Sequence, residues 1–245
     1  MKKIFIEENI IDFDSKVRIT GKDFNHMSNS LRVSVGEEFV VGDASYNEYL
    51  GIISEVDKNE ILIEIKNRIV RKRNDIDVTL FFSALKGDKN EDIIRKCSEI
   101  GVNTFIPTIT KNSIVELNDK NGANKLLRWR ALARESSMQC GRERIPEIFP
   151  IIYFDDLNKY AINSLKIFGE INSEKSLKSV FQENVQTRRF ACFMGPEGDF
   201  TKYEIERLKS MGWIGVNLGD NILRSETSAI FVASSIYFFY PGGDE

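Results

Sequence analysis

The chain has 245 residues, 42% of them hydrophobic and 29% charged, and a formal net charge of −3. That is ordinary globular composition, long enough for one large domain or two smaller ones with a real core, and the acidic balance counts against a uniformly basic nucleic-acid binder. No run approaches the roughly 18 apolar residues of a membrane span, Met1–Ile11 lacks the apolar core of a signal peptide, and Cys97, Cys140 and Cys192 form no CxxC pair, so neither a disulfide framework nor a thiolate zinc site is expected and a reducing cytoplasm is the natural compartment.

Residues 1 to about 70 read as β-rich. Glu37 to Val41, Tyr46 to Val56 and Glu60 to Ile69 are short and rich in Val and Ile, with turn-like pieces between them, which suggests a small barrel. The run Lys66 to Arg73 carries five basic residues and no acid, and Arg71 to Asp75 reads as a linker. From Ile76 the pattern changes to alternating strands and helices. Val78 to Leu85 is a strand. Asp88 and Glu91 have capping-box spacing before a helix with Ile93, Ile94, Cys97 and Ile100 on one face, and Gly101 stands where that helix should end. Val102 to Ile106 is a strand stopped by Pro107, and a long helix follows over about Ala123 to Cys140. Residues 125–147 form a second basic zone, which is either an aimed surface or a solvated face. Strands are expected at Leu165 to Phe168, Arg189 to Met194 and Ile214 to Leu218. A helix capped by Thr201 and Glu204 and ended by Gly212 lies between the last two, and an apolar helix spans Glu226 to Tyr240. This alternation implies an α/β domain with a mainly parallel sheet. In the last helix Ile230, Phe231, Val232, Ile236, Tyr237, Phe238 and Phe239 exceed what one face of a surface helix buries. That points to a homodimer, or else to a helix central to a monomer core.

Ligands of open α/β sheets bind beyond the carboxyl ends of the strands. Gly195-Pro196-Glu197-Gly198-Asp199-Phe200 follows one such end, as a tight turn whose backbone can approach a ligand or as a plain strand-to-helix connection; it is neither GxGxxG nor a P-loop. Leu218 to Ala229 follows another. Gly219, Ile222 and Leu223 could form a flat slot for an adenine ring with Arg224 and Glu226 at its rim, while Ser225 could simply cap the next helix. Glu170, after a third strand, reads first as an ordinary exposed loop carboxylate, though it could accept ribose hydroxyls. His26 is the only histidine and reads as structural, no metal site is expected, and Cys192 reads as packing.

Together these residues resemble a family. Residues 26–36 with His26-Met27, Leu31-Arg32 and Gly36, the stretches Lys86–Lys89 and Glu99–Val102, Gln139-Cys140-Gly141-Arg142 with Ile145-Pro146-Glu147, and above all GPEGDF followed by LGDNILRSETSA are similar to the bacterial 16S ribosomal RNA uridine-N3 methyltransferases of the RsmE type, in the SPOUT superfamily. The likeness spans nearly the whole chain. It implies a PUA-like β-barrel for RNA over 1–72, and a SPOUT α/β domain with a C-terminal trefoil knot over 73–245, which binds S-adenosylmethionine and dimerises. It implies a cytoplasmic homodimer acting on 16S rRNA, in the assembled small subunit, with no membrane partner.

On that likeness Gly195, Pro196, Glu197, Gly198, Leu218, Gly219, Ile222, Leu223, Glu226, Thr227 and Glu170 hold the cofactor. Arg224, then Arg142, stabilise the reacting uridinate, and Arg32, Arg71, Lys72, Arg73, Lys89 and Arg134 hold RNA. Three positions depart from the family pattern. Asp199 stands where a second glycine is common, in a turn that Asp can tolerate; Met138 stands where Glu is common; and Ser228 replaces a common Ala. Two rival readings remain open: a knotted methyltransferase for transfer RNA or a 2′-hydroxyl, and a non-catalytic RNA-binding module.

Overall fold

The computed structural model describes residues 2–10, 15–70, 75–85, 88–113 and 119–240. The chain divides into two compact units, Met1–Lys72 with Ser137–Arg144, and Arg73–Ser136 with Ile145–Glu245.

The first unit is a curled five-stranded sheet, built of β1 (Lys2–Phe5), β2 (Lys16–Ile19), β3 (Glu38–Gly42), β4 (Glu48–Val56) and β5 (Ile61–Ile69) in the order β1-β3-β4-β5-β2. Strict alternation makes β5 a half-buried strand: Ile61, Ile63 and Ile65 are fully buried while Leu62 and Glu64 face outward. Those isoleucines pack with Phe39, Ile53 and Met27, and Met138 from the appended segment joins them. A buried ion pair links Lys3 and Glu48, and the Lys3 ammonium also donates to the Arg142 carbonyl. The edge strands β1 and β2 escaped the sequence reading because each has only four residues.

The second unit is a parallel sheet whose six-strand path runs β12-β10-β11-β6-β7-β8, from β6 (Asp77–Ser83), β7 (Thr104–Ile109), β8 (Glu147–Ile148), β10 (Leu165–Gly169), β11 (Arg189–Met194) and β12 (Ile214–Val216); β9 (Ile152–Tyr153) pairs with β7 off this path. The central strand β11 is buried from Phe190 to Met194, as a strand covered on both faces must be. Pro107 does not stop β7. It falls between the residues paired with β8 and those paired with β9, so its missing N–H costs no ladder bond. After a short first helix α1 (Gly21–Asn25), the longer helices are α2 (Lys89–Ile100), α3 (Asp119–Cys140), α4 (Leu177–Glu183), α5 (Lys202–Ser210) and α6 (Ser225–Phe239). Thr201 and Glu204 form the expected capping box on α5. Asp88 caps α2 only in position, because its side chain makes no cap hydrogen bond. Gly101 ends α2 at φ 134°, and a Cβ there would lie 2.6 Å from the Tyr237 ring, so glycine sets how closely α6 approaches α2.

Val232 and Ile236 of α6 are fully buried, and Ile230, Tyr237 and Phe239 are partly buried. Most of this helix's apolar content therefore serves its own unit. Phe231 and Phe238, seven positions apart, stay exposed at 42% and 90%.

Candidate active site

The parallel sheet ends in a cluster of loops. The segments after β10, β11 and β12 enclose a cavity of about 520 Å³ lined by residues of all three, at the strands' carboxyl ends. Of the expected residues, Gly195, Pro196, Glu197, Leu218, Gly219, Ile222, Leu223, Glu170 and Arg224 line it. Gly198, Glu226 and Thr227 do not. Gly198 turns its carbonyl to Asn112, Thr227 is exposed on the first turn of α6, and Glu226 keeps one carboxylate oxygen buried without a partner. Met194, Asp199, Asn217 and Ser225 also line the cavity and were not singled out as site residues.

The loop after β11 is held on several sides. Asp199 donates its N–H to the Pro196 carbonyl at 3.0 Å and has φ 57°, the left-handed conformation its side chain can tolerate. Phe200 packs edge-on against Phe193, ring centroids 4.8 Å apart, and Gly195 lies over the Phe200 ring so closely that a Cβ would sit 3.0 Å from it. Asn112 Nδ2, from the turn after β7, donates to the carbonyls of Gly198 at 3.1 Å and Asp199 at 2.9 Å. Beside it, the Lys111 N–H donates to Glu204. Asn112 is 86 residues from Gly198, so no local pattern signals it.

Two carboxylates in the wall carry lysine partners. Lys209 donates to Glu170 Oε1 at 2.7 Å, and Lys89 to Glu197 at 2.6 Å. The Glu197 hydrogen bond raises the Lys89 pKa above its usual value. Glu170 Oε2 is buried and unpaired, pressed against Gly215, where an added Cβ would be 1.8 Å away. The opposite loop is tied at its ends. Asn217 Oδ1 accepts from Gly219 N–H at 2.7 Å, and Ser225 Oγ donates to the Gly195 carbonyl at 2.5 Å. Ser225 is thus the first residue of α6 rather than its N-cap, which is Arg224, and its hydroxyl joins the two loops. The Arg224 side chain is exposed and makes no hydrogen bond or ion pair among the described residues.

Arg142 belongs to Ser137–Arg144, in the first unit, and does not line the cavity. Arg32 is exposed in the first unit with φ 48°, and Arg134 is half-buried in the second. Arg71, Lys72 and Arg73 lie outside the described residues. Much of the second basic zone is committed to the protein itself. Arg128 pairs with Glu91 at 2.7 Å, Arg130 donates to the Ile148 carbonyl, and Arg144 lies over the Tyr46 ring. Cys192 is fully buried, and burial also pushes the Cys97 thiol up to about 12.

The RNA methyltransferase domain family matches residues 72–237, and the RNA methyltransferase PUA domain family matches residues 19–66. The chain belongs to this RNA methyltransferase family. A ribosomal RNA small subunit methyltransferase E of Mesomycoplasma hyopneumoniae is 30% identical, over 95% of this chain and 97% of its own. The protein of that name in Bacillus subtilis is 28% identical, over 97% and 96%. Among solved structures, a Legionella pneumophila protein in complex with S-adenosylmethionine superposes with TM-score 0.87 at 25% identity, covering 96% of each chain. The fold is also that of a Neisseria gonorrhoeae ribosomal RNA small subunit methyltransferase E, TM-score 0.89, 24% identical over 98% of each chain. No helix among the described residues of this RNA methyltransferase is long and apolar enough to cross a membrane.

Proposed function

We propose that this enzyme transfers a methyl group from S-adenosylmethionine to N3 of one uridine of 16S ribosomal RNA, in the small subunit near the decoding centre. The observation that carries the reading is the cavity at the strand ends with an uncommitted guanidinium, Arg224, on its wall. The cavity fits the cofactor. Glycines at 169, 195 and 219 open its wall, apolar Leu218, Ile222 and Leu223 offer a surface for a flat base, and Glu170 on the wall is the carboxylate assigned to ribose hydroxyls. Gly198, Glu226 and Thr227 support the loops next to it, and Glu226 brings a second orphaned oxygen.

When bound, the cofactor supplies an electrophilic methyl group whose carbon–sulfur electrons return to sulfur. The protein's task is the nucleophile. Uridine N3–H is about as acidic as a phenol, pKa about 10, so only about one molecule in a thousand is ionised at pH 7. As N3 gives its proton to solvent, charge spreads onto O2 and O4. A planar, always-protonated Arg224 can hold both charge and orientation there, and Arg142 is the second candidate. Arg32, Arg71, Lys72, Arg73, Lys89 and Arg134 are assigned to RNA, with Lys89 doing so beside its Glu197 partner. In this reading residues 1–72 are the RNA-binding barrel and 73–245 the catalytic domain. The return of the chain from edge strand β12 to an α6 packed on α2, β6 and β11 supports a trefoil knot. The exposed Phe231 and Phe238 support a homodimer, and a ribosomal substrate places the enzyme in the cytoplasm.

The test is nucleoside mass spectrometry of ribosomal RNA from a deletion strain. One 3-methyluridine should vanish and return with the wild-type gene; an unchanged profile refutes the assignment. Light scattering at low micromolar concentration should give twice the chain mass, and a monomer mass refutes the dimer.

A further inference from the structure

The charges on the cavity wall are not equivalent. Glu170 and Glu197 are each held by a lysine within hydrogen-bond distance, and Asp220 is exposed to water that screens it. Asp199 differs from all three. It is half-buried, it lines the cavity, and no basic side chain among the described residues pairs with it. The hydrogen bond given to its carboxylate comes from the Phe200 N–H at 2.8 Å. Nor can it readily swing out to water. Its backbone is pinned at φ 57° by the bond from its own N–H to Pro196 and by Asn112 on its carbonyl, and the next residue is wedged among Phe168 and Phe193. A rigid loop thus presents an uncompensated negative charge to the ligand space.

We propose that Asp199 is a specificity-determining residue that makes the cavity hold the cationic methyl donor in preference to the neutral-sulfur product left after transfer. The inference rests on the reading that the cavity binds S-adenosylmethionine. Donor and product share adenosine, α-amino and carboxylate groups and differ by the methyl group and the positive charge on sulfur. A group that separates them must therefore respond to that charge. A carboxylate does so without touching the methyl, because a charge in a partly water-excluded pocket acts over several ångströms. Burial, with Glu170 and Glu204 nearby, holds the Asp199 pKa above the usual carboxylate value, so its ionised form is under a load that a bound cation relieves. Favouring the donor also helps turnover, since product that binds less tightly leaves sooner.

Titration calorimetry with S-adenosylmethionine and S-adenosylhomocysteine on wild type, Asp199→Asn and Asp199→Gly decides the matter. Asn keeps an acceptor for the Phe200 N–H, and both Asn and Gly tolerate the positive φ. Melting temperature checks that each variant is folded. Both variants should lose about tenfold in affinity for the donor while binding the product within about twofold of wild type, so that the donor-to-product ratio collapses. Equal losses for both ligands would mean that Asp199 serves a shared group or merely shapes the loop, and would overturn the proposal. Unchanged affinity for both would overturn it as well. Wild type binding neither ligand would instead remove the reading of the site, and this proposal with it.

Discussion

The loops of residues 195–200 and 217–224 border one cavity but are held very differently. The first loop is gripped by Asn112, by the Phe200 ring and by the Pro196 carbonyl within it, and it leads directly into the capping box of α5. The second is tied at Asn217 and at Ser225. Between them Asp220 and Asn221 are exposed, Ile222 is 77% exposed, and the Arg224 side chain has no hydrogen-bond or ion-pair partner among the described residues. A site built from one fixed and one open wall can be preorganised where it must read the ligand and adaptable where the ligand must enter. Ordering the open wall then costs part of the binding energy. In this enzyme the reacting charge is assigned to the open wall and cofactor selection to the fixed one.

The sharpest way to break that division is Arg224→Ala. It should lower single-turnover methylation about 100- to 1000-fold while cofactor affinity stays within several-fold. Arg224→Lys should recover little, since a point charge cannot reproduce the planar fork. Raising pH should partly rescue the alanine variant by ionising uridine unaided. If cofactor affinity and melting temperature fall with the rate instead, Arg224 is a brace and the second wall is not the reactive one.

Next in size is Asn112→Ala, which removes a donor shared by two loop carbonyls. At about 1 kcal/mol for a hydrogen bond, cofactor affinity should fall by several-fold to about tenfold, measured by calorimetry. An unchanged affinity would show that the first loop needs no bracing.

Ile222→Ala sharpens the contrast from the other side. The residue is mostly exposed without ligand, so melting temperature should hardly move, within the ±0.5 kcal/mol or so usual for surface changes. Affinity should nevertheless drop by about threefold to tenfold, because a side chain buried only on binding loses its contribution there. A stability loss without an affinity loss would mean that the second wall is already closed.

The smallest effect is on stability. The Asp199 pKa is raised in the fold, so its ionised form costs stability at neutral pH, and that cost fades as pH falls through the folded-state pKa towards the ordinary value. Asp199→Asn should therefore melt slightly higher than wild type at pH 7, with the gain shrinking in acid. A gain that persists at low pH would have another cause.

Local chemistry made several features legible. The strand Arg189–Met194 is a continuous apolar run, Thr201 and Glu204 cap α5 with their own side chains, and glycines end α2 and follow α5 with positive φ. Each depends on residues a few positions apart, so sequence alone determined it. The GPEGDF and LGDNILR loops were legible as loops that follow strands, and the parallel sheet brings both to its carboxyl end as walls of one cavity. What escaped were partnerships between distant residues. Ser225 looked like a helix cap, but its hydroxyl goes to Gly195, 30 residues away. Lys89 is assigned to RNA by the resemblance alone, and in the fold it is paired with Glu197, 108 residues away. Pro107 looked like a strand end until the gap between β8 and β9 excused its missing N–H. The helix expected over about Ala123 to Cys140 read as one element; it spans Asp119–Cys140, and its residues from Ser137 on belong to the first unit. Propensity and periodicity act along the chain, whereas the partner of a buried or charged group is chosen by whichever donor or acceptor the fold brings within about 3 Å. For this protein the sequence determined which loops follow the strand ends that border the cavity, and the tertiary structure alone decided that Asn112 fixes one of them, that lysines pair with two carboxylates of the wall, and that no basic side chain among the described residues pairs with Asp199.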